Sequence, residues 1–317
     1  MWKSGMMGLI AGDALGVPVQ FMTREEISEN PVETMTGYGT YLMPPGTWSD
    51  DSSMALATMT SLLEKGGVDY DDMMERFMLW YFNGEYTPEG LTFDQGLTCT
   101  EAIYNYTKNG DYKTCGKTGE RANGNGALMR ILPVCIYAYQ KVRGKEWTEE
   151  KAVEVVHQVS ALTHNHLRSK MACGIYFFLV KNILDAEVAS ESLHTILQSG
   201  IDEAVSFYQK DIANYVELAH YGRIFHLEDF KTCPAEKIKS TGYVVDSLEA
   251  AIWCLINTES LKDALLKAVN LGDDTDTVAA IVGGLAGLFY GYEAIPEEWL
   301  KCIINHDDIM DVCEEME

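Results

Sequence analysis

"GTWSDDSSMALATMTSLLE", residues 46–64, crowds Ser49, Asp50, Asp51, Ser52 and Ser53 in front of an apolar run with helical spacing. A helix start needs only one such residue, because a single side-chain oxygen meets an orphan backbone N–H and one carboxylate complements the helix dipole. Taken alone, the stretch leaves two readings open. Either Asp50 or Asp51 caps the helix while the other oxygens face water, or the surplus oxygen is there for a ligand.

The same overload recurs near the other end of the chain. "LGDDTDTVAAIVGGLAGLFYG", residues 271–291, places Asp273, Asp274, Thr275, Asp276 and Thr277 before a second apolar run. Positions 51 and 274 are far too distant to be halves of one local calcium loop, whose ligands fall within about twelve residues. If the fold brings the two helix starts together, at least four carboxylates and two hydroxyls converge. That density of like charge is unfavourable unless cations lie between them. Oxygen ligands without His or Cys suit Mg²⁺, Mn²⁺ or Ca²⁺ rather than Zn²⁺. Two ions about 3.5–4 Å apart would share the carboxylates.

Around these starts the chain reads as helix almost throughout. Tyr70, Met73, Phe77 and Trp80 fall on one stripe, as do Val153, Val156, Val159 and Leu162. "GYVVDSL", 242–248, is the best strand candidate, and it runs directly into the helical "EAAIWCLINT". No strand–helix alternation appears, which counts against a Rossmann-type sheet. Small residues four apart (Gly8, Gly12, Gly16 and Ala279, Gly283, Gly287) mark two helices whose backbones approach closely. With no linker and no repeat, the 317 residues are expected to form a single domain, 1–317.

Composition narrows the function classes. A net charge of −24 argues against a nucleic-acid partner, which would need a basic face. The uncharged run Thr277–Tyr292 is too short and too glycine-rich to span a bilayer, so no membrane partner is expected. Eight scattered cysteines (Cys99, Cys115, Cys135, Cys173, Cys233, Cys254, Cys302, Cys313) without a C-x-x-C pair read as reduced thiols of a cytoplasmic protein. Asp13 interrupts the N-terminal apolar run, and no cleavage pattern follows, so a signal peptide is not expected.

"GLIAGDALGVPVQF" (8–21), "TWSDDSSM" (47–54), "FDQGLTCTEAI" (93–103), "NGNGALMRILPV" (123–134), "LTHNH" (162–166), "GYVVDSLEAAIW" (242–253) and "GDDTDTVAAIVGGLAGLFYG" (272–291) follow one another in the order seen in the ADP-ribosylglycohydrolase family. The resemblance is clearest over 1–302. It implies an all-α orthogonal helical bundle with two Mg²⁺ or Mn²⁺ at the base of an ADP-ribose cleft. It also implies a monomer acting on an ADP-ribosylated protein, with ADP-ribosyl-arginine as the leading linkage, or on a small ADP-ribosyl conjugate. By position in the motifs, Ser49, Asp50 and Asp51 match the first ligand set, and Asp274, Asp276 and Thr277 the second. Asp273 stands where the family often has Gly.

Breaking a ribosyl C1 bond passes through an oxocarbenium-like transition state, so a carboxylate must manage a water proton. Asp94 matches the acid–base residue of the bacterial members. Gln20 stands where serine-specific members carry Glu, and an amide cannot take that proton. Gly96, Asn123, Gly124, Asn125 and Gly126 are candidate ligand contacts. The bare glycines of the last four would let backbone N–H groups approach a diphosphate at the start of a helical run. His164 and Tyr243 match positions lining the pocket. His164 and His166 lack a third soft ligand for zinc, and each otherwise reads as a cap or a core residue. Two other readings compete: a non-catalytic ADP-ribose-binding or structural member of the family, and a dinuclear-metal phosphoesterase.

Overall fold

The computed structural model describes residues 1–186 and 191–317. The described residues hold helices and no strand; the only ladder-like pairs are the isolated bridges Lys117–His164 and Gly124–Tyr243. The all-α expectation holds. None of the described helices is long and apolar enough to cross a membrane.

At the centre, helix Trp2–Gly16 packs along helix Thr275–Tyr290. The contact is backbone on backbone, because the glycine stripes face each other. A Cβ at Gly8 would overlap the Gly283 carbonyl, one at Gly12 the Ala279 carbonyl, and one at Gly16 the Asp276 backbone. The closeness sets Asp13 of the first helix beside Asp276 of the second. Around this pair lie helices Val244–Ile256, Leu261–Val269 and Leu167–Asp185, the last of which also packs on Glu149–Ala161 and Leu193–Tyr208. The core fills with aromatic and aliphatic side chains, including Trp2, Phe177, Phe178, Tyr176 and Trp299.

The helical stripes fall where their spacing put them. Met73, Phe77 and Trp80 are buried in helix Tyr70–Asn83, and Val153, Val156 and Val159 in helix Glu149–Ala161. The strand candidate 242–248 is corrected. Helix Val244–Ile256 begins two residues in, and only the bridge at Tyr243 is strand-like. The β-branched Val244–Val245 pair suggested extension, but Val244, Leu248, Ala251 and Ile252 bury one helical face, and packing overrides local preference.

Candidate active site

The two overloaded helix starts meet. Helix Asp50–Lys65 begins at Ser49, whose Oγ caps the Asp51 N–H, so the cap is neither Asp50 nor Asp51 as the sequence suggested. Their carboxylates are left free of capping, and both are buried. At the second start the capping position belongs to Asp274, yet its side chain makes no cap bond. It turns aside and accepts from Asn125 Nδ2 at 2.7 Å and Gln20 Nε2 at 3.3 Å.

Asp51 links the two halves. Its Oδ2 accepts from Ser49 Oγ at 3.0 Å and from Thr277 Oγ1 at 3.4 Å. Carboxylate oxygens of Asp13, Asp51 and Asp276 lie within 4.8 Å of one another, and so do those of Asp50, Asp51 and Asp94. Two trios thus share one member. Burial first, and neighbouring carboxylates after it, push Asp50, Asp51 and Asp276 well above the ordinary carboxylate range.

The donor set fits divalent cations. Asp51 Oδ1 and Asp276 Oδ2 are buried with no hydrogen-bond partner. A buried carboxylate oxygen with no donor is costly, and a hard cation is the group that satisfies several at once. Asp51 is common to both trios.

Asp13 is the residue the sequence reading missed. It is fully buried, and its oxygens accept from Ser49 N (2.9 and 3.0 Å), Ser52 N (3.0 Å) and Ser52 Oγ (2.5 Å). It therefore holds the start of helix Asp50–Lys65 from another helix. Burial lifts it to about 6 against the lowering pull of those bonds. Its signal was present: it is the only carboxylate in a Gly- and Ala-containing helix whose other polar side chains, Lys3 and Ser4, lie in the first turn.

Above this floor opens a cleft with about 250 Å³ of water-accessible space, lined by Asp50, Asp94, Asp274 and Thr277 among others. Asp94 stands on the wall in a left-handed backbone conformation, φ 58°. Tyr41 OH donates to its Oδ1 at 2.7 Å, and Gln20 Nε2 donates to its Oδ2 at 2.7 Å. Tyr41 carried no sequence signal. Burial raises the Asp94 pKa, with these two donors opposing the shift. Asp273 sits at φ 60°, the region that favours glycine, and it bonds the Gln20 loop through Phe21 N and Met22 O. That accounts for the glycine often found there.

Gly96, Gly124, Asn125, Gly126 and His164 all line the cleft. The glycine segment differs from expectation in one respect: residues 126–130 form turns and the helix begins only at Leu132, so no helix N-terminus faces the cleft from Gly124–Gly126. Asn123 lies outside the lining, its side chain accepting from Ser169 Oγ at 2.9 Å and donating to Glu120 O at 3.0 Å. Tyr243 is likewise outside it, its hydroxyl accepting from Arg168 Nη1 at 3.2 Å, while its neighbour Gly242 lines the cleft. His166 is a helix cap, its Nδ1 accepting from Arg168 N at 3.2 Å.

The all-α fold is that of the ADP-ribosylglycohydrolase class of structures. A solved chain from an ADP-ribosylglycohydrolase-related protein complex superposes with a TM-score of 0.78 at 27% identity, covering 99% of this chain and 96% of that one. The chain belongs to the ADP-ribosylglycohydrolase family, whose sequence profile matches residues 3–317. It is 31% identical over 314 residues to an ADP-ribosylarginine hydrolase, Tri1, of Serratia proteamaculans, covering 99% of this chain and 78% of the relative. It is 32% identical over 298 residues to the ADP-ribosyl-[dinitrogen reductase] glycohydrolase of Rhodospirillum rubrum, covering 93% and 87%.

Proposed function

We propose that this protein is a divalent-metal-dependent hydrolase that cleaves the ribosyl C1 bond of ADP-ribosyl-arginine in a protein, or of a small ADP-ribosyl conjugate, and releases ADP-ribose. The observation that carries the reading is the shared carboxylate Asp51. It joins two trios at the foot of a cleft, with unpartnered oxygens on Asp51 and Asp276. Family membership and the printed activities of the two relatives support it. All eight cysteines are free, which accords with a cytoplasmic setting. The extent of the family match accords with one domain over 1–317.

Ser49, Asp50, Asp51, Asp274, Asp276 and Thr277 would hold two Mg²⁺ or Mn²⁺, which when bound supply Lewis-acid polarisation and a hold on ribose hydroxyls. The remaining chemistry belongs to the chain. Asp94, aimed by Tyr41 and Gln20, takes a proton from the water whose oxygen bonds to C1 as the bond to the guanidine nitrogen breaks; the leaving guanidine keeps the bonding pair and receives that proton from Asp94, which returns to its carboxylate form. Asn125 steadies Asp274, and the bare backbone at Gly124 and Gly126 leaves room for the diphosphate.

The test is incubation with arginine-, serine- and O-acetyl-linked ADP-ribose, with Mg²⁺ or Mn²⁺ and with a chelator, reading free ADP-ribose. Release is expected to be fastest from arginine and to stop with the chelator. ADP-ribose bound but never released would favour the non-catalytic reading. Phosphate freed from simple phosphoesters would favour a phosphoesterase.

A further inference from the structure

Arg130 is fully buried, and no carboxylate pairs with it among the described residues. Its guanidinium lies over the Phe77 ring, 4.5 Å from the centroid. Nη2 donates to Thr163 Oγ1 at 2.9 Å and to Val159 O at 3.3 Å, while Nε and Nη1 have no partner. An unpaired buried cation is costly, so its presence asks for a gain elsewhere. Thr163 Oγ1 also lies 2.9 Å from His164 Nδ1, and His164 is buried on the cleft wall.

The proton directions in this chain follow from the donors. Arg130 can only donate, so Thr163 Oγ1 accepts from it, and a hydroxyl that accepts from a cation becomes a stronger donor. The acceptor within reach at hydrogen-bond distance is His164 Nδ1; the Cys99 thiol nearby is a weaker acceptor. With Thr163 donating to it, Nδ1 carries the lone pair and the ring proton is on Nε2. Burial and the Arg130 charge press the imidazole pKa down to about 3, which keeps the ring neutral. The ring edge faces the glycine segment: a Cβ at Gly124 would stand 3.4 Å from Nε2, and one at Gly126 would stand 3.0 Å from Cε1.

We propose that Arg130, acting through Thr163, fixes His164 as the neutral Nε2–H tautomer, so that this histidine is a permanent hydrogen-bond donor to an acceptor oxygen of the ligand beside Gly124. Arg130 and Thr163 are positioning residues. The identity of the ligand as ADP-ribose rests on the proposed function; the relay itself does not.

Two-bond ¹H–¹⁵N correlation spectra of histidine-labelled protein read the tautomer directly. Wild-type protein is expected to show His164 protonated only at Nε2 from pH 5.5 to 8. Thr163→Val, close in shape and lacking the hydroxyl, should lose that fixed pattern and weaken ADP-ribose binding about tenfold by calorimetry, the scale of one well-made hydrogen bond. Thr163→Ser should restore both, and Mn²⁺ affinity should stay unchanged in either variant. A wild-type His164 protonated at Nδ1, or a Thr163→Val protein with unchanged tautomer and affinity, would overturn the proposal. The expected tautomer and its loss in Thr163→Val, found in a protein that binds no ADP-ribose, would uphold the relay and overturn the ADP-ribose reading.

Discussion

Asp94 is held by both oxygens, from Tyr41 on one side and Gln20 on the other, at a backbone angle that Asp tolerates better than most residues. The amide orientation of Gln20 follows from its partners: Asp94 and Asp274 present carboxylate oxygens, which accept, so the NH₂ end must face them. Position 20 therefore aims Asp94, the proposed acid–base group, and cannot replace it. Asp94→Asn keeps the volume and removes the proposed proton carrier. It should lower kcat by about 10²–10⁴-fold, the range for a positioned acid or base, while calorimetry still finds ADP-ribose bound. Near-normal turnover in that variant would place the proton elsewhere. The sequence paired Gln20 with Asp94 by chemistry alone, since an amide cannot do the acid's work. It could not show that the two touch, because contacts between positions 20 and 94 are set by how loops fold back. Tyr41 was invisible for the same reason.

Between elements, the glycine contact decides the geometry. Helices Trp2–Gly16 and Thr275–Tyr290 approach until carbonyls of one occupy the space where Cβ atoms of the other would stand. Gly12→Ala forces a methyl into the Ala279 backbone, which cannot yield as a side chain would. It should cost about 3 kcal/mol or more in chemical denaturation, at or beyond the upper end of ordinary overpacking. Gly5→Ala meets only the Leu288 and Leu132 side chains, at 3.0 Å and beyond, and should cost less than about 1 kcal/mol. Equal losses at the two positions would show that the backbone contact is unimportant. This feature was legible because small residues at spacing four name a face. Asp13, on the same helix, was read only as an interruption of an apolar run. That its carboxylate caps another helix is a tertiary fact, set by the close approach of elements distant in the chain. The convergence of the oxygen-loaded starts was legible because a helix start needs far less oxygen than these carry.

For the molecule as a whole, the carboxylate floor ties stability to protons and, on the proposed function, to cations as well. Asp13, Asp50, Asp51 and Asp276 all have native pKa values raised above the unfolded carboxylate value, Asp13 to about 6. Between the unfolded pKa and those native values the folded protein binds more protons than the unfolded chain, so without metal its stability falls as pH rises through that window. Above the window the full cost remains, and the net charge of −24 adds repulsion of the same sign. Divalent cations bound at the deprotonated, folded site, as the proposed function requires, would stabilise it by about 2.7 kcal/mol at a hundredfold excess over Kd. The metal-free protein should therefore melt lower at pH 8 than at pH 5.5, and Mg²⁺ or Mn²⁺ should raise Tm more at pH 8, where no proton competes. Asp276→Asn, which removes one charge and one ligand, should raise the metal-free Tm at pH 8 while shrinking the rise on adding metal. General surface repulsion cannot produce that pairing, because losing one charge in twenty-four barely alters it. Calorimetric scans in chelator and in excess Mn²⁺ at both pH values decide the matter, and a wild-type Tm indifferent to metal at pH 8 would mean that the acidic floor holds no cation.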